Sequence, residues 1–448
     1  MLRRELSFLQ ATAINMIDMV GIGPFVTTAL VAATMGSAPM ALLAWCVGMS
    51  LALVDASVWS ELGAKMPEAG GSYTFLREAY GRDTWGRLMA FLFVWQTSFQ
   101  APLVVTSGAL GFAKYLAFVT GPLDPLFSKL CGVTVIIVLV ALLYRRIGDV
   151  GKISVVLWAC VVTALLWIIG AGFYYGSFAQ ITSGAFVQGA VGNDAIWAAL
   201  GIATIPTIYS YLGYYNVCHL GAEVKDPVRV IPRSMYISII GIGVLYLAMQ
   251  TAIYAVLPVG EVASSPFVVS TLINTVQGPL AAQVVTGLVL IVAVASLFSV
   301  LLGYTRIPYA AAKDGLFFSV FAREHPTKNF PHIALLALGG IAIVFTMTLE
   351  LGDAIKSIIT MRVFTQFVAQ AIGLIMLRRR VGAGAMPWRM WLYPLPVLLT
   401  IVGWIWIFSS AKPLQQILGV VAPLVGVVVY LALAGRNRTW PFRLASRE

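Results

Sequence analysis

The sequence predicts an all-α integral membrane protein of twelve helical spans, with the first and sixth interrupted inside the bilayer. Three observations predict it. Apolar runs are too long for a soluble core, basic residues gather on one side of those runs, and helix breakers fall at corresponding points of two spans.

The apolar runs come first. Of the 448 residues 60% are hydrophobic and only 10% charged, whereas soluble domains carry about 25% charged residues. Mean hydropathy is +0.89. Residues 133–144, 153–175 and 333–349 hold no charge at all. A helix needs about 20 such residues to cross the hydrocarbon core. A membrane β-barrel shows alternating segments of about 10 residues instead, and none is present. The basic start, residues 1–5, leads into an apolar stretch without a small-residue cleavage site, so no cleavable signal is expected. The cysteines Cys46, Cys131, Cys160 and Cys218 lie in or beside apolar runs without a CxxC pair. They read as buried, inert thiols, and neither a zinc site nor a disulfide framework is expected.

The apolar blocks place spans near 9–34, 38–60, 86–118, 128–144, 153–175, 194–220, 235–257, 279–305, 332–350, 353–377, 388–410 and 413–434. With the N-terminus in the cytoplasm, 24 of the 29 Lys and Arg lie on the cytoplasmic side. The exceptions are Lys114, Lys129, Lys356, Arg362 and Lys412. That asymmetry is the positive-inside rule. The net charge of +11 then faces an anionic leaflet, and no nucleic acid is implied. Both termini are expected inside, in a bacterial inner membrane. No flexible linker divides the chain, so residues 1–448 form one domain.

The breakers come third. Span one contains Gly21-Ile22-Gly23-Pro24-Phe25. Glycine weakens a helix and proline removes a donor, yet Pro24 suits the first turn of a new half-helix. Span six carries Pro206 and Gly213 around Thr207, Ile208, Tyr209, Ser210 and Tyr211. Freed backbone groups cannot face lipid and must line a cavity. Two such spans five apart suggest an inverted repeat of 9–175 against 194–377, followed by 388–434. Half-helix amides at such a site hold an anionic group, and unwound carbonyls hold a cationic one. A zwitterion such as an α-amino acid suits that arrangement.

At these residues the chain resembles the amino acid–polyamine–organocation permeases over nearly its whole length. The glycine-rich run at 21–25 is similar to their span-one motif. Glu61-Leu62-Gly63-Ala64-Lys65-Met66-Pro67-Glu68-Ala69-Gly70-Gly71-Ser72-Tyr73 resembles the loop after span two. Glu223-Val224-Lys225-Asp226-Pro227 and Ala312-Lys313-Asp314-Gly315-Leu316 resemble the segments after spans six and eight. The resemblance implies a LeuT-type five-plus-five inverted repeat with broken helices one and six. It also implies alternating access, coupled to protons or to exchange. By position, the amides around Gly21, Ile22, Gly23, Pro24 and Phe25 are the expected carboxylate site. The carbonyls of Ile208, Tyr209, Ser210, Tyr211 and Gly213 are the expected amine site. Tyr215 stands where the family often has an acidic residue. Residues 157–162 contain no lysine where many proton-coupled members have one.

Among side chains, Asp18 lies within the membrane just before the first break and is a candidate for the substrate amine or for a coupling proton. Ser296 and Ser299 are candidates to place hydroxyls near a cation. Gln96, Gln100 and Arg362 are candidates to line the cavity, with Arg362 expected to pair with Asp18 or Asp55 or else to guard the outer vestibule near Lys356 and Asp353. The histidines His219, His325 and His332 read as solvated or capping residues. No cofactor is implied. No phosphate-binding GxxxxGK[ST] motif appears, and scarce His and Cys argue against an enzyme. An organic-cation carrier, and more remotely a channel, are the alternatives to an amino acid carrier.

Overall fold

The computed structural model describes residues 2–182, 194–349, 362–437 and 439–442. They are predominantly helical, and two isolated backbone bridges, Leu6 to Val224 and Ala69 to Leu220, are the sole strand-like pairings among the described residues.

Helix α1 (Phe8–Met19) opens on a reciprocal cap in which Ser7 and Gln10 bond each other's backbone, satisfying two donors that a helix start leaves open. After residues 20–22 the chain resumes as α2 (Gly23–Met35), bent by 43° from α1, with Pro24 in its first turn. Next come α3 (Ala38–Lys65), the short α4 (Ser72–Ala79), α5 (Trp85–Thr120), α6 (Pro125–Leu143), α7 (Ile147–Tyr175) and α8 (Phe178–Thr182). The second half comprises α9 (Asp194–Tyr211), α10 (Asn216–His219), α11 (Pro227–Val256), α12 (Val259–Ser264), α13 (Val268–Gln277), α14 (Pro279–Tyr304) and α15 (Arg306–Lys313). It continues through α16 (His332–Thr348), a π-turn at Val363–Val368 running into α17 (Ala369–Val381), α18 (Leu395–Ser409) and α19 (Pro413–Asn437).

Seven helices are long and apolar enough to cross a membrane, or eight if the bent pair α1–α2 is one span. Three shorter apolar helices, Ile196–Tyr211, His332–Thr348 and Leu395–Ser409, accompany them. The expected span at 353–377 lies partly outside the described residues. The chain is therefore a multi-pass membrane protein.

Burial separates the interior from the lipid-facing rim. In the α14 span 67% of the apolar window is buried, against 28% for α6 and 22% for α19. Side chains that look stranded on α6 and α19, such as Ile137 and Val428, therefore face hydrocarbon. Three of the four cysteines share that fate: Cys46 is exposed, Cys131 and Cys160 are half-buried, and Cys218 alone is fully buried. The expectation of four buried thiols holds for Cys218 only, because an apolar run in a membrane protein need not point inward. At the centre α1 and α2 pack among α7, α9, α11 and α14.

Candidate functional site

The two interruptions meet. The break at 20–22 faces a second one at 212–215, where Gly213 has φ +117°. A Cβ on Gly213 would stand 2.8 Å from the carboxylate carbon of Asp18, so only glycine lets the two breaks approach this closely. Pro206 does not break its helix. Helix α9 runs through it, and the Pro206 carbonyl receives the Ser210 hydroxyl at 3.0 Å.

Most backbone groups released by the breaks are taken up by protein. The Asp18 carbonyl accepts from the Ser296 hydroxyl at 3.3 Å, and the Ile14 carbonyl from Ser299 at 2.7 Å. Both serines, expected near a cation, thus spend their protons on α1. Tyr246 of α11 bridges the breaks, with its hydroxyl 2.8 Å from the Met19 carbonyl and 3.2 Å from the Ser210 carbonyl. One proton serves two acceptors there, so the pair keeps unused lone pairs. The carbonyls of Ile208 and Tyr209, expected to be free, both accept the Leu212 amide (3.1 and 3.3 Å). They remain in the last turn of α9 because the unwinding begins only at residue 212. Asn15 and Asn216 complete the junction: the Asn15 side chain accepts from the Val217 amide at 2.9 Å, and Asn216 donates to Ser299.

Between the breaks lies a cavity of about 60 Å³. Of the expected site residues, Asp18, Gly21, Ile22, Gly23, Tyr209, Ser210, Gly213, Ser296 and Arg362 line it. Pro24, Phe25, Ile208, Tyr211 and Ser299 stand behind that lining. Gln96 and Gln100, on α5, are buried elsewhere; Gln96 accepts from Thr365 on the π-turn. Sequence reasoning did not single out Tyr304, Val104 and Gly108, which also line the cavity, or Tyr246 behind it. A tyrosine within the aliphatic stretches of α11 and α14 was the available signal.

Arg362 differs from its expectation. It forms no ion pair within 4.0 Å among the described residues. Its Nη1 donates to the Tyr215 hydroxyl at 2.5 Å and its Nη2 to that of Tyr304, whose ring it overlies at 5.4 Å. Asp55 is not its partner. That carboxylate accepts from Trp59 Nε1 (2.9 Å), Trp404 Nε1 (3.3 Å) and the Tyr214 hydroxyl, and so ties α3, the second break and α18 together. His219 is not solvated: it is 1% exposed, caged by Trp59, Phe93, Tyr215 and Tyr304, with Nδ1 at 3.3 Å from the Gly70 carbonyl. No cluster of His, Cys, Asp or Glu able to hold a metal occurs among the described residues.

A wider cavity of about 520 Å³ shares Ile22, Gly23 and Tyr209 with the inner one and opens past Val26, Leu30 and Lys412. On the opposite side the chain is closed by buried ion pairs. Arg306 forks onto Glu223 (2.8 and 2.9 Å), and Arg378 onto Glu61. A small cavity between two helix breaks, largely apolar but with Asp18 and Arg362 in its wall, open to one side and closed on the other, is the geometry of a carrier.

Sequence comparison agrees. The profile of a family described as amino acid permease matches residues 6–432. The chain belongs to the amino acid permease family. Relatives of this permease include the serine/threonine exchanger SteT of Bacillus subtilis, 24% identical over 97% of this chain and 98% of its own length. The human cystine/glutamate transporter is 25% identical over 100% and 89%. The branched-chain amino acid permease BcaP of Bacillus subtilis is 24% identical over 85% and 82%. The permease is thus a transporter and not an enzyme, and its substrate is a small molecule.

Proposed function

We propose that this permease carries an amino acid through the cavity between its two helix breaks by alternating access, coupled to protons or to exchange. The observation that carries the reading is the meeting of the breaks around Asp18, Gly21, Gly23, Ser210, Gly213 and Arg362. Exchange gains support from SteT, whose name describes an exchanger. The distribution of basic residues supports a cytoplasmic location for the sealed face, with both termini there and the wide cavity facing outward across a bacterial inner membrane.

The full architecture proposed is twelve spans in a five-plus-five inverted repeat, 9–175 against 194–377, with 388–434 appended. Packing supports it: α2 meets α9, α3 meets α11, α5 meets α14 and α6 meets α16. Each pair joins spans five apart in order, as mates about a two-fold axis do.

A polyamine or other organic-cation carrier of the same fold is the alternative, and Arg362 in the cavity wall disfavours it. A channel needs a continuous path, which the Glu223–Arg306 and Glu61–Arg378 pairs obstruct. Saturable counterflow of a labelled neutral amino acid in proteoliposomes tests the reading. Preference for a diamine over every amino acid overturns it, and so does non-saturable flux.

A further inference from the structure

In a broken-helix site the amides of the second half-helix receive the anionic group, and here that turn lacks one of the four donors a helix start leaves open. Pro24 has no N–H. The amide of Gly21 is bonded to the Met19 carbonyl (3.1 Å) and that of Val26 to the Ile22 carbonyl (3.3 Å). At most the amides of Ile22, Gly23 and Phe25 remain, and no side chain caps the helix start.

Arg362 stands in the same cavity and lacks what such a ligand brings. It is 3% exposed, and its two described acceptors are neutral phenols, Tyr215 and Tyr304. Its Nε is buried without a hydrogen-bond partner among the described residues. A guanidinium presents five donors in a planar fork matched to a carboxylate, and a buried cation without a contacting anion is costly. Asp18 lines the same cavity and attracts Arg362 without reaching ion-pair distance. The cavity thus holds one cation and one anion, neither with a charged partner in contact among the described residues. A ligand bearing one carboxylate and one ammonium satisfies both. A diamine instead brings a second ammonium towards the guanidinium.

We propose that Arg362 binds the substrate's carboxylate and Asp18 its ammonium, so that the permease accepts monoamino acids and rejects amines that lack a carboxylate. The inference rests on the amino acid permease reading and adds the residue that sets its substrate class.

The test compares an amino acid with its own methyl ester and with the corresponding amine. These keep the side chain and ammonium but lose the anion. The amino acid is first chosen as the one that most raises the melting temperature of the purified, full-length wild-type protein. Competition against its uptake is then measured for wild type, Arg362→Gln and Arg362→Lys in proteoliposomes. The wild type is expected to prefer the acid over ester and amine by about 100-fold, a typical loss when one partner of a buried charge pair is removed. In Arg362→Gln that ratio falls to about tenfold or less, and Arg362→Lys keeps an intermediate value. If Arg362 only tethers Tyr215 and Tyr304, its replacement weakens acid and ester alike and leaves the ratio unchanged, which overturns the proposal. Should Arg362→Gln not fold, the wild-type ratio still decides: equal binding of acid and ester overturns the proposal without any variant. Failure of every amino acid to bind or be transported by wild type is a separate result and removes the permease reading itself.

Discussion

Asp18 and Asp55 are both carboxylates inside apolar helices, and their surroundings give them opposite roles. Asp55 is 1% exposed and accepts from two indoles and a phenol. Removing it leaves three buried donors unpaired, each costing about 1–3 kcal/mol. Asp55→Ala is therefore expected to lower the melting temperature in detergent by many degrees or to abolish folding; a shift within one degree of wild type contradicts this. Asp18 is half-buried because it borders the cavity. Asp18→Asn is expected to keep expression and melting temperature close to wild type while losing transport or its pH dependence. Normal uptake at every pH removes Asp18 from the mechanism. The sequence alone marked both residues as intramembrane charges. It could not separate them, because Trp404 and Tyr214, which commit Asp55 to structure, lie far from it along the chain. The same distance hid the phenols that hold Arg362 and the aromatic cage around His219.

At the scale of elements, legibility depended on whether backbone chemistry or packing decided the outcome. The first break was readable from Gly21, Gly23 and Pro24, since their effects on a helix are local. The second was readable only as a region. Pro206 is the stronger breaker by residue type, but it is carried within α9, while Gly213, with its left-handed φ, sets the unwinding. What decides is the close approach of Asp18, a long-range fact. Gly213→Ala places an L-residue at φ +117° with its Cβ 2.8 Å from the Asp18 backbone carbonyl carbon. Strain of about 1–3 kcal/mol and that collision together are expected to force the breaks apart and abolish uptake. Gly21→Ala meets the Ser296 side chain, its hydroxyl at 2.7 Å and its Cβ at 3.2 Å, so the double variant with Ser296→Ala, which removes the closer contact, is expected to recover part of the transport lost in the single one. Uptake assays on the four proteins check both statements. Full activity of Gly213→Ala would show that the breaks need not touch.

For the whole molecule, the closed basic face determines which way the cavity opens. Below the site the rings of Trp59, Tyr215, His219 and Tyr304 form one layer. Beneath them Glu223–Arg306 fastens the segment after α10 to α15, Glu61–Arg378 fastens α3 to α17, and Asp314 and Glu78 hold Arg77 of α4. Glu223 is fully buried and Arg306 is 3% exposed. Deleting one partner of such a pair costs about 3–5 kcal/mol, and the cost falls only on states in which the pair is formed. Glu223→Gln is thus expected to populate a state open on the basic face, and Glu223→Gln with Arg306→Gln to restore much of the closure. A cysteine replacing Ala293, in the cavity wall, with the four native cysteines replaced by alanine, reports this by reaction with an impermeant thiol reagent in inside-out vesicles. Labelling should rise in the single variant and fall again in the double; equal labelling in all three shows that these pairs do not gate. Mild acid should not imitate the variant at the outer contact of this face. Partial burial raises the Glu324 carboxyl, but hydrogen bonds from the Tyr309 hydroxyl (2.5 Å) and Lys313 (2.9 Å) outweigh it and bring it to about 2 from an ordinary 4.5. A carboxyl depressed in the folded state contributes stability that is complete above its ordinary value and lost only as pH falls through the depressed one. That contact therefore persists from pH 8 to pH 5. Any pH dependence of uptake in this range then arises at other groups, and if Asp18→Asn retains uptake that dependence should be absent from it while cysteine accessibility from the basic side stays constant.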